Sequence, residues 1–148
     1  MIAFFDTNIF IDVLKGLLPQ STYNQWREEY VIRMCPVVYQ ELIRCVKSES
    51  LKEKIEAATE KFILFPPPTN EMWITAGEMA GKVAGTYDER ALERIQNDLL
   101  IALTARQNGA VLITQDLFFK NIQKYIEFRL RIHTKHSFTG EKSAIDIR

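Results

Sequence analysis

Short apolar runs alternate with amphipathic stretches along this chain of 148 residues. Five of the runs are bounded by polar or turn-forming residues, which is typical of buried β-strands, and they span residues 2–5, 31–35, 62–65, 110–114 and 127–132. Between most of them, apolar residues recur at the spacing of one helical face. Because alternating strands and helices favour parallel pairing with right-handed crossovers, the pattern predicts an α/β fold: a three-layer α/β/α sandwich with a central, mainly parallel sheet of about five strands.

Residues with special backbone preferences mark the ends of the predicted helices. Pro36 suits the first turn of a helix, where its missing N–H would have no partner. Asn70 is a predicted helix cap, and Thr86 with Glu89 three positions later has the spacing of a capping box. Gly109, which follows an asparagine, is a predicted helix end that delivers the chain to the next strand. These signals place helices between the strands, as the α/β interpretation requires.

Length and composition favour one ordinary globular domain. A chain of 148 residues suits a single core, and 47% apolar with 26% charged residues argues against a disordered or fibrous protein. We expect one domain over residues 1–132. Residues 133–148 form a polar C-terminal tail that we expect to be mobile, because it has little apolar surface to bury.

The ends of the chain and its cysteines indicate a cellular compartment. Asp6 and Asp12 interrupt the apolar start and no basic segment precedes it, so we expect neither a signal peptide nor a membrane span. Cys35 and Cys45 have no CxxC partner and no nearby histidine, so we expect two buried, reduced thiols rather than a zinc site or a disulfide. Both features predict a cytoplasmic protein.

Charge is balanced over the whole chain but not along it. Nineteen basic and nineteen acidic residues cancel, so the net charge predicts no general attraction to nucleic acid. Between residues 117 and 136, one acid accompanies five bases, which predicts either a solvated face or a phosphate contact; the bases are Lys120, Lys124, Arg129, Arg131 and Lys135. Asp12, with Lys15 three positions later, is a predicted surface pair.

Two acids directly follow predicted strands. Asp6 comes after the apolar run 2–5 and opens the phrase Asp6-Thr7-Asn8, and Asp116 follows the strand at 110–114. In open α/β folds, ligands bind outside the carboxyl ends of the strands, which is where both carboxylates are expected. An aspartate at the position of Asp116, taken alone, is more often a cap for the helix that follows it than a ligand.

Two further acids lie on apolar helical faces. Glu41 has mainly apolar neighbours one turn away, and Asp98 opens the most apolar helical stretch of the chain. A buried carboxylate must find a cation or accept a raised pKa. Arg44 and Arg94 are the alternative partners at helical spacing, and a new helix capped by Asn97 or Asp98 is a further alternative.

The four carboxylates point to a metal site if the sheet brings them together. Several acids in one partly buried cleft repel each other unless a divalent cation neutralises them. Oxygen ligands favour Mg²⁺ or Mn²⁺ over zinc. Thr7 and Asn8 are placed either to hydrogen-bond the ligating carboxylates or to cap the following helix.

As a set, these residues resemble the PIN-domain ribonuclease family. The resemblance is carried by Asp6-Thr7-Asn8, by Glu41 in its apolar helix, by the run Asn97-Asp98-Leu99-Leu100-Ile101-Ala102 and by Thr114-Gln115-Asp116. It covers about residues 1–132, and the size is similar to that of the VapC-type toxins of bacterial type II toxin–antitoxin modules. It implies that Asp6, Glu41 and Asp98 are the principal metal ligands, that Asp116 completes the pocket, and that Thr114 orients Asp116 or a water.

The resemblance implies a metal-dependent endoribonuclease that holds Mg²⁺ or Mn²⁺ and cleaves RNA. As a toxin, it would be a homodimer held inactive by a small antitoxin, and the helices between residues 70 and 107 are the predicted apolar groove for that partner. Two alternatives are a housekeeping PIN nuclease without an antitoxin and an inactive PIN-like binding scaffold. A phospho-acceptor receiver domain is disfavoured, because Phe65 leads into prolines where that class needs an aspartate.

Overall fold

A four-stranded parallel sheet forms the centre of the computed structural model, which describes residues 1–135. The strand order is β2-β1-β3-β4, and every neighbouring pair is parallel. The strands are β1 (Ile2–Phe5), β2 (Val31–Arg33), β3 (Val111–Thr114) and β4 (Arg129–Ile132). Because all pairs are parallel, the carboxyl ends of the four strands lie at one edge of the sheet. The predicted α/β fold with a parallel central sheet is confirmed.

The strand predicted at residues 62–65 is reduced to a single bridge. Leu64 pairs in parallel with Met34, whose N–H donates to the carbonyl of Ile63 at 3.0 Å. Phe65 N donates back to the carbonyl of Met34 at 2.9 Å, and three prolines follow. Proline has no N–H to donate to a ladder, so the pairing stops there and the sheet has four strands rather than five.

Helices flank the sheet on the way from strand to strand. Within residues 1–135 they are α1 (Thr7–Leu14), α2 (Gln20–Glu29), α3 (Pro36–Arg44), α4 (Glu49–Thr59), α5 (Asn70–Ala84), α6 (Glu89–Asn108) and α7 (Phe118–Ile122). Pro36 occupies the first turn of α3, and Gly109 ends α6 with a left-handed φ of 57°, both as predicted. Helix α6 runs unbroken through residues 97 and 98, which excludes the alternative of a new helix starting there.

Two predicted helix caps are wrong by one or two residues. Helix α5 is capped by Thr69, not Asn70, because the Thr69 hydroxyl accepts from the Met72 N–H at 3.2 Å. Helix α6 is capped by Asp88, whose carboxylate accepts from the Ala91 N–H at 3.2 Å. Thr86 instead accepts from the N–H of Asp88, in the turn before the helix. An ionised carboxylate near a helix start is a strong acceptor, which explains why Asp88 takes the cap position.

The core lies between the central strands and α6. Phe4 and Phe5 of β1, Leu112 and Ile113 of β3, and residues 99–102 of α6 are all fully buried. One of the two predicted buried thiols is wrongly placed: Cys35 is buried, but Cys45 follows the last residue of α3 and is exposed. The middle turns of α6 are buried on all sides. This packing fixes how deeply residues 97 and 98, which precede them, lie in the domain.

Residues 133–135, at the start of the predicted tail, contact the domain. The His133 N–H donates to the carbonyl of Thr114 at 2.8 Å, and the His133 ring meets the edge of Trp26. Residues 136–148 lie outside the described residues, so the domain boundary at 132 and the mobility of the tail stay predictions. Among residues 1–135, no helix is both long enough and apolar enough to cross a membrane.

Candidate active site

Asp6 stands at the carboxyl end of the central strand β1 and is almost fully buried. One carboxylate oxygen accepts from the Thr7 N–H at 2.7 Å. The other accepts from the Thr114 hydroxyl at 2.7 Å and from the Asn8 side-chain amide at 3.0 Å. Because β1 and β3 are neighbours in the sheet, Asp6 and Thr114 are brought together across 108 positions of sequence. Three donors therefore fix this carboxylate in place.

Thr114 also organises the loop that carries Asp116. Its hydroxyl accepts from the Asp116 N–H at 3.0 Å and from the Asn8 amide at 3.2 Å. Asp116 itself is exposed, and its carboxylate accepts from the Phe118 N–H at 2.9 Å, at the start of α7. The same aspartate thus holds the start of a helix, as the cap interpretation expects, and its charge acts on the other acids. Its part in a metal site stays a prediction.

Glu41 is half-buried on α3 and is held by two side-chain donors. One carboxylate oxygen accepts a short hydrogen bond from the Thr7 hydroxyl, and the other accepts from the Asn97 amide at 3.1 Å. The alternative partner Arg44 forms no ion pair with Glu41 within the described residues. Asn97 was not predicted for this role, although it stands directly before Asp98 in the sequence.

Asp98 projects from α6 towards the other three acids. Burial, first, and then the charges of Asp6, Asp116 and Glu41 raise its pKa from 3.8 to about 8. Among residues 1–135, no side chain or backbone N–H donates to its carboxylate, and its alternative partner Arg94 forms no ion pair with it. Asp98 is therefore the least compensated of the four carboxylates.

The pKa of Asp6 is also raised, from 3.8 to about 6. Burial is the largest cause, the hydrogen bonds from Thr114 and Thr7 oppose it, and the charges of Glu41 and Asp116 add to it. The four predicted acids thus lie close enough to repel each other at one edge of the sheet.

The donor set fits a hard divalent cation. No lysine or arginine in residues 1–135 pairs with any of the four acids. Within the same residues, no three acid, histidine or cysteine side chains are gathered tightly enough to form a ready metal cage. Mg²⁺ sites commonly use one or two carboxylates and several waters, so a loose cluster of carboxylates matches that ion better than zinc.

A groove opens beside the acids, between α1, α3 and α4. Its volume is about 550 Å³, and Thr7 and Glu41 form the end that adjoins the acid cluster. The other lining residues are Ile11, Leu14, Lys15, Leu42, Arg44, Cys45, Leu51, Lys54 and Ile55. The lining therefore combines aliphatic side chains with three exposed cations.

The predicted surface pair of Asp12 with Lys15 is wrong. Asp12 is buried, with 5% of its surface exposed, and its carboxylate contacts Gln115 and Lys135 instead. Sequence reasoning missed this contact because both partners are more than 100 positions away. The sequence offered one signal for this contact: Gln115 is a polar residue between Thr114 and Asp116, both of which are predicted site residues.

Comparison with known proteins identifies the class. Residues 3–125 match the model of the PIN domain family, so the chain belongs to that family. Comparison with curated protein sequences gives no match. The predicted resemblance is thus confirmed at the level of the family.

Two solved structures are similar to the chain. One is VapBC2 from Rickettsia felis, bound to a DNA fragment from its promoter, with a TM-score of 0.64 and 21% identity over 90% of this chain and 100% of that chain. The other is VapBC-1 from nontypeable Haemophilus influenzae, with a TM-score of 0.55 and 26% identity over 89% of this chain and 98% of that chain. The first likeness supports the fold, and the second is a likeness to a protein of a VapBC complex.

Proposed function

We propose that this PIN domain is a metal-dependent endoribonuclease that hydrolyses RNA phosphodiester bonds. PIN domains are generally nucleases that use divalent metal ions. The observation that carries the proposal is the uncompensated carboxylate cluster, in which burial and neighbouring acids raise the pKa of Asp98 to about 8. Holding like charges together costs stability, and a bound divalent cation removes that cost.

Asp6, Glu41 and Asp98 would hold the Mg²⁺ or Mn²⁺ ion, with Asp116 contributing directly or through water. When bound, such an ion supplies Lewis-acid activation of water and of the phosphodiester. The chain itself orients the carboxylates. Side chains that hydrogen-bond the carboxylates keep them aimed at one place before substrate arrives; they are Thr7, Asn8, Asn97 and Thr114.

The groove beside Glu41 is a better candidate for the RNA path than the basic segment between residues 117 and 136. Lys15, Arg44 and Lys54 line it, and none of them forms an ion pair within residues 1–135. In the basic segment 120–135, by contrast, Arg131 is paired with Glu29 and Lys135 with Asp12. Unpaired cations next to the acids suit the phosphates that flank a cleavage point.

We also propose that the chain is the toxin of a toxin–antitoxin pair. Support comes from the likeness to the two VapBC structures. The small antitoxin would cover the acid site. Trp73 and Ile74 on α5 are exposed apolar side chains in the region where the sequence predicts its groove. A homodimer and a cytoplasmic location belong to the same proposal.

Incubation of the purified protein with total RNA tests the nuclease. We expect cleavage with Mg²⁺ or Mn²⁺, complete loss in EDTA, recovery when Mn²⁺ is added back, and products with 5′-phosphate and 3′-hydroxyl ends. Those ends distinguish metal-assisted attack by water from cleavage through the ribose 2′-hydroxyl. Cutting that persists at full rate in EDTA contradicts the proposal.

Expression in a bacterial host tests the toxin. We expect growth to stop on induction and to recover when an antitoxin encoded beside the gene is expressed as well. The Asp98→Asn variant, expressed to the same level, is the matched control and should not stop growth. Active nuclease in vitro without any growth effect would identify a housekeeping PIN nuclease instead.

A further inference from the structure

Asp12 is a buried carboxylate whose partners both come from distant segments. Gln115 Nε2 donates to one of its oxygens at 2.5 Å, and Lys135 Nζ lies 3.2 Å from each of the two. The lysine side chain remains 59% exposed while that of Asp12 is 7% exposed. The ion pair therefore neutralises Asp12 from the solvent side, and the hydrogen bond from the Gln115 side chain ties the same carboxylate to the loop after β3.

Gln115 is held at two points by the same helix. Its N–H donates to the Asn8 side-chain oxygen at 3.2 Å, and its side chain donates to Asp12. Asn8 and Asp12 are four positions apart on α1, hence neighbours on one face of it. The loop that follows β3 is thus clamped to α1 by both its backbone and its side chain.

The clamped residue lies directly between two residues of the acid site. Thr114 before it donates to Asp6, and Asp116 after it is exposed and repelled by the other acids. Asp116 is restrained directly by its own N–H, which donates to Thr114, and by its carboxylate, which accepts from the Phe118 N–H. The contact of Gln115 with α1 adds a further restraint on the same loop.

Lys135 extends the clamp to the chain beyond β4. The segment already touches the end of β3, because the His133 N–H donates to the Thr114 carbonyl at 2.8 Å. Lys135 then places a cation beside the buried carboxylate of Asp12. Three segments of the chain, namely α1, the loop after β3 and the residues after β4, meet at this one carboxylate.

We propose that Asp12 and Gln115 are positioning residues that hold Asp116 in the acid cluster, and that Lys135 sustains this arrangement by neutralising Asp12. The inference rests on the proposed nuclease function. It differs from a purely stabilising role, because it requires the clamp to act on metal binding and turnover. Mutation of residues that support the metal ligands typically lowers metal affinity or activity by about 10- to 100-fold.

The test compares Gln115→Leu, Lys135→Met and the double variant Asp12→Asn/Lys135→Met in the full-length protein. For Gln115→Leu we expect kcat to fall and the Kd for Mn²⁺ to rise, each about tenfold, with KM nearly unchanged. Lys135→Met should change both in the same direction, because it leaves Asp12 buried without a cation. The double variant removes both charges but keeps an acceptor for Gln115, so it should recover most of the loss.

Arg131→Met is the matched control. It breaks the ion pair between β4 and Glu29, which does not lead to the acids, so its kcat and Mn²⁺ Kd should equal the wild-type values. Amide exchange of Asp116, whose N–H donates to Thr114, is followed by NMR and should be faster in Gln115→Leu but unchanged in Arg131→Met. Gln115 is half-buried, so this variant tests the clamp even if substitution of Asp12 prevents folding.

The outcomes separate the two proposals. Wild-type kcat and Mn²⁺ affinity in Gln115→Leu would overturn the positioning role, and a double variant no better than Lys135→Met would overturn the part assigned to Lys135. If the wild-type protein neither cleaves RNA nor binds Mn²⁺, the nuclease proposal fails. In that case unchanged Asp116 exchange in Gln115→Leu still overturns the clamp, and faster exchange supports it.

Discussion

Two regions of the molecule gather charged side chains and balance them in opposite ways. Where α2 approaches β4, Glu29 accepts from Arg131, which also donates to the Tyr30 hydroxyl at 3.1 Å. The hydrogen bonds from Arg131 and then from Gln25 hold the pKa of Glu29 below its ordinary value. At the carboxyl edge of the sheet, Asp98 has only acids for charged company, and its pKa rises to about 8.

The difference shows what each region is for. An ion pair such as Glu29 with Arg131 is complete within the chain and contributes little beyond holding two elements together. The acid cluster is incomplete, because its hydrogen-bond donors come from neutral Thr and Asn side chains that orient the carboxylates without neutralising them. A site that is oriented but not neutralised is suited to an external cation.

The largest expected effect is the loss of cleavage in Asp98→Asn. Asparagine keeps the size of the side chain but removes the charge that would hold the ion, so we expect kcat to fall by at least about a hundredfold. The measurement is the initial rate of cleavage of a defined single-stranded RNA at saturating Mn²⁺. Folding is checked by thermal unfolding of the same sample.

Glu29→Gln is the matched control for this prediction. It removes one carboxylate from the completed ion pair and should leave kcat within about twofold of wild type, since this exposed pair contributes little to stability and lies outside the acid site. If both variants cleave RNA at similar rates, the distinction between the two regions has no functional meaning.

The groove cations are expected to have a smaller effect. Replacing Lys15, Arg44 and Lys54 together by glutamine should raise KM for RNA about tenfold and leave kcat nearly unchanged. If all three contact phosphates, the slope of log affinity against log salt should fall by about 2, at about 0.7 per contact for single strands. The matched control is Lys120→Gln/Lys124→Gln, which removes exposed cations far along the basic segment. A larger loss in that control would place the RNA on the segment 117–136 instead.

Cys45 offers a direct probe of the same groove. It is exposed and lines the groove, whereas burial raises the pKa of the Cys35 thiol to about 11. A maleimide should therefore react at Cys45 first. RNA bound to Asp98→Asn with Mn²⁺ should slow that reaction several-fold, and an unchanged rate would argue against RNA in the groove.

The sequence predicts the acids better than it predicts what holds them. Asp6 and Asp116 follow apolar runs that become β1 and β3, and parallel pairing then brings both to one edge. Glu41 and Asp98 stand out because a carboxylate on an apolar helical face is costly. Each of these signals is local, so each can be recognised from a few neighbouring residues.

The contacts that support the acids depend on long-range packing, so they cannot be recognised from neighbouring residues in the sequence. Asn97 reaches Glu41 across 56 positions, and Asp12 reaches Lys135 across 123. For Asp12, the local signal of Lys15 at helical spacing even points to the wrong partner. The missing fifth strand has a different, local origin: the apolar run 62–65 predicts a strand, but the three prolines directly after it limit the pairing to one bridge.

The smallest expected effect is a dependence of stability on pH in the metal-free protein. The pKa of Asp98 is raised from 3.8 to about 8, so the fold favours its protonated form. The corresponding stability is fully present below about pH 4 and is lost as the pH rises towards 8. We expect the Tm of Asp98→Asn to lie a few degrees above that of wild type at pH 8.5, and the gap to narrow as the pH falls to 5, measured in EDTA.

Glu29→Gln should show the mirror image. Its partner Arg131 lowers the pKa of Glu29, so the ionised form is favoured in the fold and the stability is present above about pH 4.5. This variant should be slightly less stable than wild type at neutral pH, and the gap should close as the pH falls below 4.5. Added Mn²⁺ should raise the Tm of the wild type at pH 8.5 and not that of Asp98→Asn, because the ion would neutralise the ionised carboxylates and the variant lacks one of them. If the difference in Tm between wild type and Asp98→Asn does not change from pH 5 to 8.5, the charge of Asp98 is compensated in the fold as well as that of Glu29.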